Sequence, residues 1–390
     1  MVKQGMKSVG LGLLLSLTAI RASADYSWNF PEPVTPMALD TLNVHNKFML
    51  ITAIIFFVVL AIMIYSIFAH RKSKQYKPVT DKAPSTAVEI FWTLIPFVIL
   101  LLIDFVIMGI PAYHSVVMME DTRDKATMVI KVTGSQWRWQ YEYLDGDAQG
   151  IKLVSNLTTT EDEMKNKAEK KEHYLLEVDN HLVLPVGEKV RILMTATDVL
   201  HNWWVPQFGS SRLAVPGFIR ETWVQVDKAG TYRGQCKELC GKGHGYMPVV
   251  VDAVPMDQYK VWVAAKKEEI AKADAGADKE WTKEDLVATG KGVYEKNCAV
   301  CHQVNGAGLP PAFPAMTGSK IILAPIFGAD GKYLKDSHLD RILNGKGVMP
   351  AWKSTLNDTD IAAVITYERN ALGNSVGDMI QPSQVKAARQ

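Results

Sequence analysis

Only four cysteines occur in this 390-residue chain, in two close pairs, Cys236 with Cys240 and Cys298 with Cys301. Each pair has a chemical use of its own, which leaves no thiol for a disulfide-built scaffold. An excess of one charge is lacking too. There are 43 Lys and Arg against 41 Asp and Glu, a net charge of +2, and so small a surplus gives no case for nucleic-acid binding. No cysteine follows the small-residue triplet Ala22-Ser23-Ala24, so a lipid anchor is not expected there. Apolar sequence, by contrast, is plentiful: 48% of the chain is hydrophobic, and 390 residues are enough for two domains or more.

The N-terminus opens with Lys3 and Lys7, runs into an apolar stretch from Leu11 to Ile20 and reaches Ala22-Ser23-Ala24. That is the pattern of a secretory signal peptide over residues 1–24, and the apolar stretch is too short to be a first membrane anchor. Phe48 to Phe68 is 21 residues without a charge; at about 1.5 Å per residue it reaches roughly 30 Å, the hydrocarbon thickness of a bilayer. A second span is expected at about 87–110, interrupted by Pro96 and carrying Glu89 and Asp104. The Lys- and Arg-rich stretch between them, residues 70–82, belongs in the cytoplasm by the positive-inside rule. Both outer ends of a hairpin over residues 25–116 then face the periplasm, as does everything that follows. An ionisable group within a span costs at least about 2.5 kcal/mol at the helix centre and invites a functional reading. Glu89 lies near the cytoplasmic end, where a snorkelling role costs little, and the residues alone leave both open. Asp104 reads as a contact with a partner in the outward half.

From Met128 to Val254 the pattern turns to short runs rich in Val, Ile, Thr and aromatics, at 127–132, 174–178, 189–194, 221–226 and 248–251. Such spacing predicts an antiparallel sandwich or barrel over residues 117–255. The charged run 161–172 reads as a solvated connection. Q-W-R-W-Q-Y-E-Y at 136–143 alternates aromatic and polar residues, which places Trp137, Trp139, Tyr141 and Tyr143 on one face of a strand, ordinarily a core face.

C-K-E-L-C-G-K-G-H-G-Y-M, from Cys236 to Met247, puts two thiols, an imidazole and a thioether within twelve residues. Soft sulfur with nitrogen suits copper or zinc better than magnesium or calcium. The Cys-x3-Cys spacing alone leaves a disulfide or a structural zinc loop open. A methionine is foreign to structural zinc sites, whereas a weak axial Met marks copper electron-transfer sites. Upstream, D-V-L-H-N-W-W-V-P supplies His201.

The set His201, Cys236, Cys240, His244 and Met247 resembles the binuclear copper site of cytochrome c oxidase subunit II. The resemblance implies a cupredoxin-like Greek-key sandwich with the metal loop between its last two strands. It implies two coppers bridged by both cysteines, one His on each, with Met247 and the backbone carbonyl of Glu238 as the axial ligands. It also implies a magnesium ion held by Glu238 together with subunit I. Trp137 becomes the surface residue where electrons enter, with the other aromatics packed over the copper. E-x-x-W-T-x-x-P at 89–96 is similar to the family's second helix, where that Glu stands at the mouth of a proton-uptake path into subunit I. One departure matters: S-R-L-A-V-P-G-F-I-R at 211–220 lacks the family's acidic residue before A-x-P-G, so contacts with subunit I through that loop do not carry over.

After Pro255 the composition changes to Lys, Glu and Ala, ending in A-D-A-G-A-D at 273–278, which predicts a short helix and a flexible linker over 256–281. T-K-E-D at 282–285 offers a helix N-cap with an acid three residues on. C-A-V-C-H at 298–302 is the attachment signature of c-type haem. The thiols of Cys298 and Cys301 add across the vinyl groups, and His302 is placed as the proximal iron ligand. Zinc is the alternative, but no further Cys pair stands nearby. The sixth ligand should be Met316 or Met349. G-K-G-V-M-P-A-W resembles the Met-Pro segment of class I cytochromes c and selects Met349. A final helix at about 359–372, with apolar residues at 361, 364, 365 and 372, suits packing on the first helix of an all-α cytochrome c domain over 282–373. Residues 374–390 read as a disordered tail, and N-L-T at 156–158 as a chance match to a glycosylation acceptor.

Neither metal site shows a substrate pocket or a general base, which suits electron transfer. The chain is read as a multidomain, two-helix bacterial inner-membrane subunit II with a fused cytochrome c domain, both metal domains being periplasmic. Electrons would pass from a cytochrome c or another periplasmic donor to haem c, then by way of Trp137 to copper. From there they would reach subunit I, where oxygen is reduced and protons are pumped; subunit III is a further expected partner. Fusion raises the effective concentration of the internal donor. A copper chaperone for oxidase assembly also uses Cys-x3-Cys with a distal His, but it has no use for Met247, Glu238 or a haem.

Overall fold

The computed structural model describes residues 29–75, 85–107, 109–311, 313–347, 349–353 and 355–389. The expected signal segment 1–24 and much of the basic connection lie outside them. Helix α1, Pro36–Ala69, contains the charge-free run and extends three turns ahead of it. Those turns form because Thr35 caps the helix, its hydroxyl oxygen accepting the Ala38 N–H at 3.0 Å, and because Pro36 stands at the first position, where its missing N–H costs nothing. Helix α2, Thr86–Leu101, runs through Pro96, widens into a π turn at Leu102–Ile107 that carries Asp104, and continues as α3, Gly109–Glu120. The second helical segment thus ends about ten residues later than predicted, because its last turns have protein to rest on. The indole of Trp223 donates to the Met118 carbonyl at 2.8 Å, and Arg212 pairs with Glu120 at 3.3 Å. At the other outer end, the Thr35 hydroxyl donates to the Phe208 carbonyl at 2.7 Å. Both outer ends of the hairpin are therefore fixed to the β-domain. Neither apolar span is buried within the chain, which leaves lipid or partner helices to cover them.

Ten strands follow: β1 Met128–Ser135, β2 Arg138–Tyr143, β3 Lys152–Ser155, β4 Leu182–Pro185, β5 Lys189–Ala196, β6 His201–Val205, β7 Ser210–Ala214, β8 Arg220–Gln225, β9 Gly230–Cys236 and β10 Pro248–Val254. They form two five-stranded sheets, β3-β2-β1-β5-β8 and β4-β10-β9-β6-β7. The pairs β1/β5 and β4/β10 are parallel and the rest antiparallel, as expected of a Greek-key sandwich. Alternation along β1, β2 and β5 turns Ile130, Trp139, Tyr141 and Ile192 into a common core, where they meet Leu182, Trp203 and Val249. Each such aliphatic side chain contributes about 1.5–3 kcal/mol by burial.

The run 174–178, predicted as a strand, is not one. Its one backbone pairing is an isolated bridge between Leu157 and Val178, outside both sheets, because Leu175 adopts a left-handed φ of 62° that breaks the pleat. The charged run 161–172 is largely exposed, apart from one helical turn, Glu161–Met164, closed by a capping box between Thr160 and Glu163.

Helix α4, Met256–Ala275, occupies most of the predicted short helix and linker, and Ala277 beyond it is buried. Tyr259 and Val263 dock α4 on the sandwich, so this connection is built structure rather than flexible chain. The all-α domain includes α5 Lys283–Asn297, α6 Ala299–His302, α7 His338–Asn344, α8 Asp358–Asn370 and α9 Pro382–Ala388, with one further helical turn at Lys320–Leu323. Thr282 caps α5 by accepting the Asp285 N–H at 3.1 Å. Helix α8 packs on α5 so closely that a Cβ on Gly290 would lie 2.0 Å from the Ala363 carbonyl oxygen. The segment read as a disordered tail is ordered: Asp378 clasps buried Arg369 at 2.6 Å, Val385 is buried, and Arg389 bonds Asp358.

Candidate metal centre and the cleft beside it

Strand β9 delivers Cys236 at its last position and β6 delivers His201 at its first, side by side in one sheet. The loop from β9 to β10 is closed at both ends by backbone bonds, Cys236 N–H to the Met247 carbonyl at 3.0 Å and Lys237 N–H to the Asn202 carbonyl at 3.0 Å. Cys240 returns to Cys236 with the two Sγ atoms 3.8 Å apart, nearly twice the disulfide length of about 2.0 Å. His201 presents Nδ1 to Cys236 Sγ at 4.0 Å, and His244 presents Nδ1 to Cys240 Sγ at 3.6 Å. The Glu238 carbonyl lies 3.3 Å from Cys236 Sγ. His201, Cys236, Cys240 and Met247 are all buried. The sulfur and nitrogen atoms of His201, Cys236 and Cys240 lie within 4.8 Å of one another. An imidazole thus flanks each of the paired thiols and a carbonyl lies against one of them, with Met247 buried in the same loop; this donor set could hold soft or borderline metal ions.

Two thiols so close share one easy ionisation. The Cys240 S–H donates to Cys236 and, helped by His201, pulls its thiol down to about 4, while that negative sulfur and burial push Cys240 up. Asp198, which sequence reasoning missed, stands three residues before His201. One oxygen lies 2.8 Å from His201 Nε2, and the other accepts the Gln136 N–H at 2.7 Å. Burial works most strongly against charge on the His201 ring, but the bonds and charges of Asp198 and Cys236 together outweigh it and the pKa is raised. The spacing D-x-x-H was the available signal, because a histidine that binds metal through one nitrogen commonly gives the other to a carboxylate.

The second pair of cysteines opens on a cleft of about 250 Å³. Cys298, Cys301, His302, Met316 and Met349 all line it. The Pro314 carbonyl accepts Nδ1–H of His302 at 2.9 Å, a tautomer that leaves Nε2 free as a donor atom. Burial raises both thiols of this pair, which keeps them protonated. The residues fit a covalently held planar cofactor with an iron-ligating His; Met316 and Met349 both remain on the wall. His338 and Glu368, unremarked in the sequence, form a buried pair at 2.6 Å in the same cleft.

The opposite wall comes from the sandwich, through Gln136 and Arg138. Trp137 is half-buried between the two sites. Its indole N–H donates to the Cys240 carbonyl at 3.1 Å, and its ring meets Phe313 of the cleft edge-on, centroids 6.4 Å apart. Trp139 packs on His201 at 6.0 Å, but Tyr143 lies under Trp262 of α4, away from the loop. Glu89 is exposed in the first turn of α2 and is brought to neither site.

The family model described as the periplasmic domain of cytochrome c oxidase subunit II matches residues 128–254, and that of its transmembrane domain matches 23–110. A third, described as cytochrome c oxidase, cbb3-type, subunit III, matches 285–367. Cytochrome c oxidase subunit 2 of Chondrus crispus is 35% identical over 243 residues, 62% of this chain and 91% of that protein. The probable subunit 2 of Rickettsia bellii is 35% identical over 268 residues, 68% and 94% of the two chains. The crystal structure of the periplasmic domain of subunit II of Bradyrhizobium japonicum, CoxB, shares 37% identity and covers 37% of this chain and 96% of that one, with a TM-score of 0.33.

Proposed function

The chain belongs to the cytochrome c oxidase subunit II family, and from that membership we propose that it relays electrons from a covalently bound haem c to a pair of coppers and on to subunit I. Its membrane helices, sandwich and cytochrome c domain make it a subunit of a haem-copper oxidase. When bound, the coppers and the haem supply the one-electron steps; the residues supply their positions. His201, Cys236, Cys240, His244, Met247 and the Glu238 carbonyl would hold the copper pair. Cys298 and Cys301 anchor the haem, His302 and Met349 ligate its iron, and Trp137 lies on the route between the sites.

The observation that carries this reading is the pair of Sγ atoms 3.8 Å apart, each facing the Nδ1 of a different histidine. A single tetrahedral zinc could take the same two sulfurs and two imidazoles; the thioether of Met247, buried in the same loop and foreign to structural zinc sites, is what favours a copper pair. Around this centre we place the signal peptide at 1–24, the hairpin at 25–116, the copper domain at 117–255 and the cytochrome c domain at 282–373. The inner membrane holds the hairpin, with both metal domains on the periplasmic side. The Glu238 carboxylate would share a magnesium ion with subunit I. Subunit III and a periplasmic cytochrome c or similar donor complete the partners. Oxygen reduction and proton pumping belong to subunit I, to which Glu89 admits protons.

The test is metal analysis with optical and electron paramagnetic resonance spectra of the full chain matured with haem and copper. Two coppers sharing one unpaired electron and one low-spin haem per chain are expected. One copper, or zinc in its place, would overturn the assignment and return the copper-chaperone reading.

A further inference from the structure

Alternation along β2 points Arg138, Gln140 and Glu142 away from the sandwich core. Gln140 and Glu142 are half-exposed accordingly, but Arg138 is only 4% exposed. The cytochrome c domain covers it. Its guanidinium carbon lies over the Trp352 ring, 4.0 Å from the centroid, and Nη1 donates to the Asn297 carbonyl at 3.2 Å, beside Cys298. Nε is buried without a hydrogen-bond partner, and among the described residues no ion pair neutralises the group. An unpaired buried cation is costly, and this one lines the same cleft as Cys298 and Cys301. Its neighbour Gln136 lines that cleft too and donates to the Cys240 carbonyl at 2.8 Å.

We propose that Arg138 is the residue by which the copper domain holds the cytochrome c domain in register, and that its charge, fixed at the thiol side of the cleft, favours the reduced haem. This rests on reading Cys298 to His302 as a haem site. Oxidation leaves the haem one charge more positive, so a nearby fixed cation disfavours it. The electron lost reduces the copper pair by one, and no bond or proton changes.

The test uses the full chain in its oxidase complex. The parent is measured first, and absence of its haem band overturns the haem reading and this proposal with it. Arg138→Gln should shift the haem equilibrium about tenfold toward the oxidised form, about 59 mV for a one-electron couple. It should also slow haem-to-copper transfer, followed by pulse radiolysis, about tenfold, with the copper resonance unchanged. Arg138→Lys keeps the charge but loses the planar guanidinium over Trp352 and its bond to Asn297, so the potential should hold while transfer remains slow. Potential and transfer rate both at parent values in Arg138→Gln would overturn the proposal. Should that variant fail to assemble, Arg138→Lys decides, because a parental transfer rate there removes the docking role.

Discussion

Nε2 of His201 lies 2.8 Å from the Asp198 carboxylate, so Nδ1 is the nitrogen left to face Cys236. The carboxylate also takes the N–H groups of Gln136 and Val199 at 2.7 Å each, which fixes it independently of the histidine. Its bonds to His201 and the backbone lower its pKa against the burial that would raise it. Asp198→Ala should free the ring to rotate and weaken copper retention 10- to 100-fold, measured by competition with a chelator. Parental affinity in that variant would remove Asp198 from the support of the site.

Gly243 carries the indole of Trp137. A Cβ there would fall 2.3 Å from Trp137 Cδ2, closer than any real contact. Gly243→Ala should displace the ring at a cost of about 1–3 kcal/mol and slow haem-to-copper transfer while leaving both metal sites occupied. Stopped-flow reduction of the copper band reads this, and an unchanged rate would mean that electrons do not pass by Trp137.

Met247 is 1% exposed in the loop it closes. A weak axial thioether adjusts potential more than it holds metal. Met247→Leu should therefore retain copper with an altered midpoint potential; a redox titration superimposable on the parent's would strike Met247 from the ligands.

The sandwich, the hairpin, both Cys pairs and the α8 helix were legible because each leaves a local pattern: period-two alternation, a charge-free run, a short motif, a 3.6 period. The errors have a common physical cause. The stretch 174–178 has strand composition, yet Leu175 turns left-handed and Glu177 is drawn aside to bind Arg233. The Lys- and Glu-rich α4 and the tail gain order from long-range contacts, Tyr259 on the sandwich and Arg369 on Asp378, that composition does not record. Arg138 reads as a surface position until the second domain covers it. His338 and Glu368 are 30 residues apart, and nothing local joins them.

Glu89 sits in the first turn of α2, on a helix capped by Ser85. Glu89→Gln keeps the shape and removes the charge, so copper and haem spectra should be parental while proton uptake during turnover slows. Full turnover with normal uptake in the purified complex would leave Glu89 a structural residue.

His181 lies between two carboxylates, Nδ1 at 2.8 Å from Asp252 and Nε2 at 2.8 Å from Glu177, which also accepts from Arg233 at 2.6 Å. The bond to Asp252 raises the imidazole pKa against partial burial. A ring whose folded pKa is raised binds its proton more tightly in the fold. Its contribution is therefore complete below the unfolded value of about 6.5 and is lost as pH rises through the raised folded value. Burial alone would raise the pKa of Glu177 and Asp252, yet their bonds to Arg233 and His181 lower both; their contribution is lost in the opposite direction, as pH falls through the carboxylate range. The histidine is thus isolated by working above about pH 5.5. His181→Gln should lower the thermal midpoint of the sandwich more at about pH 6 than at about pH 8.5, because only the parent has a charged ring to lose. A deficit that stays constant across that interval would show that the fold leaves the proton affinity of His181 unchanged, and would withdraw its raised pKa.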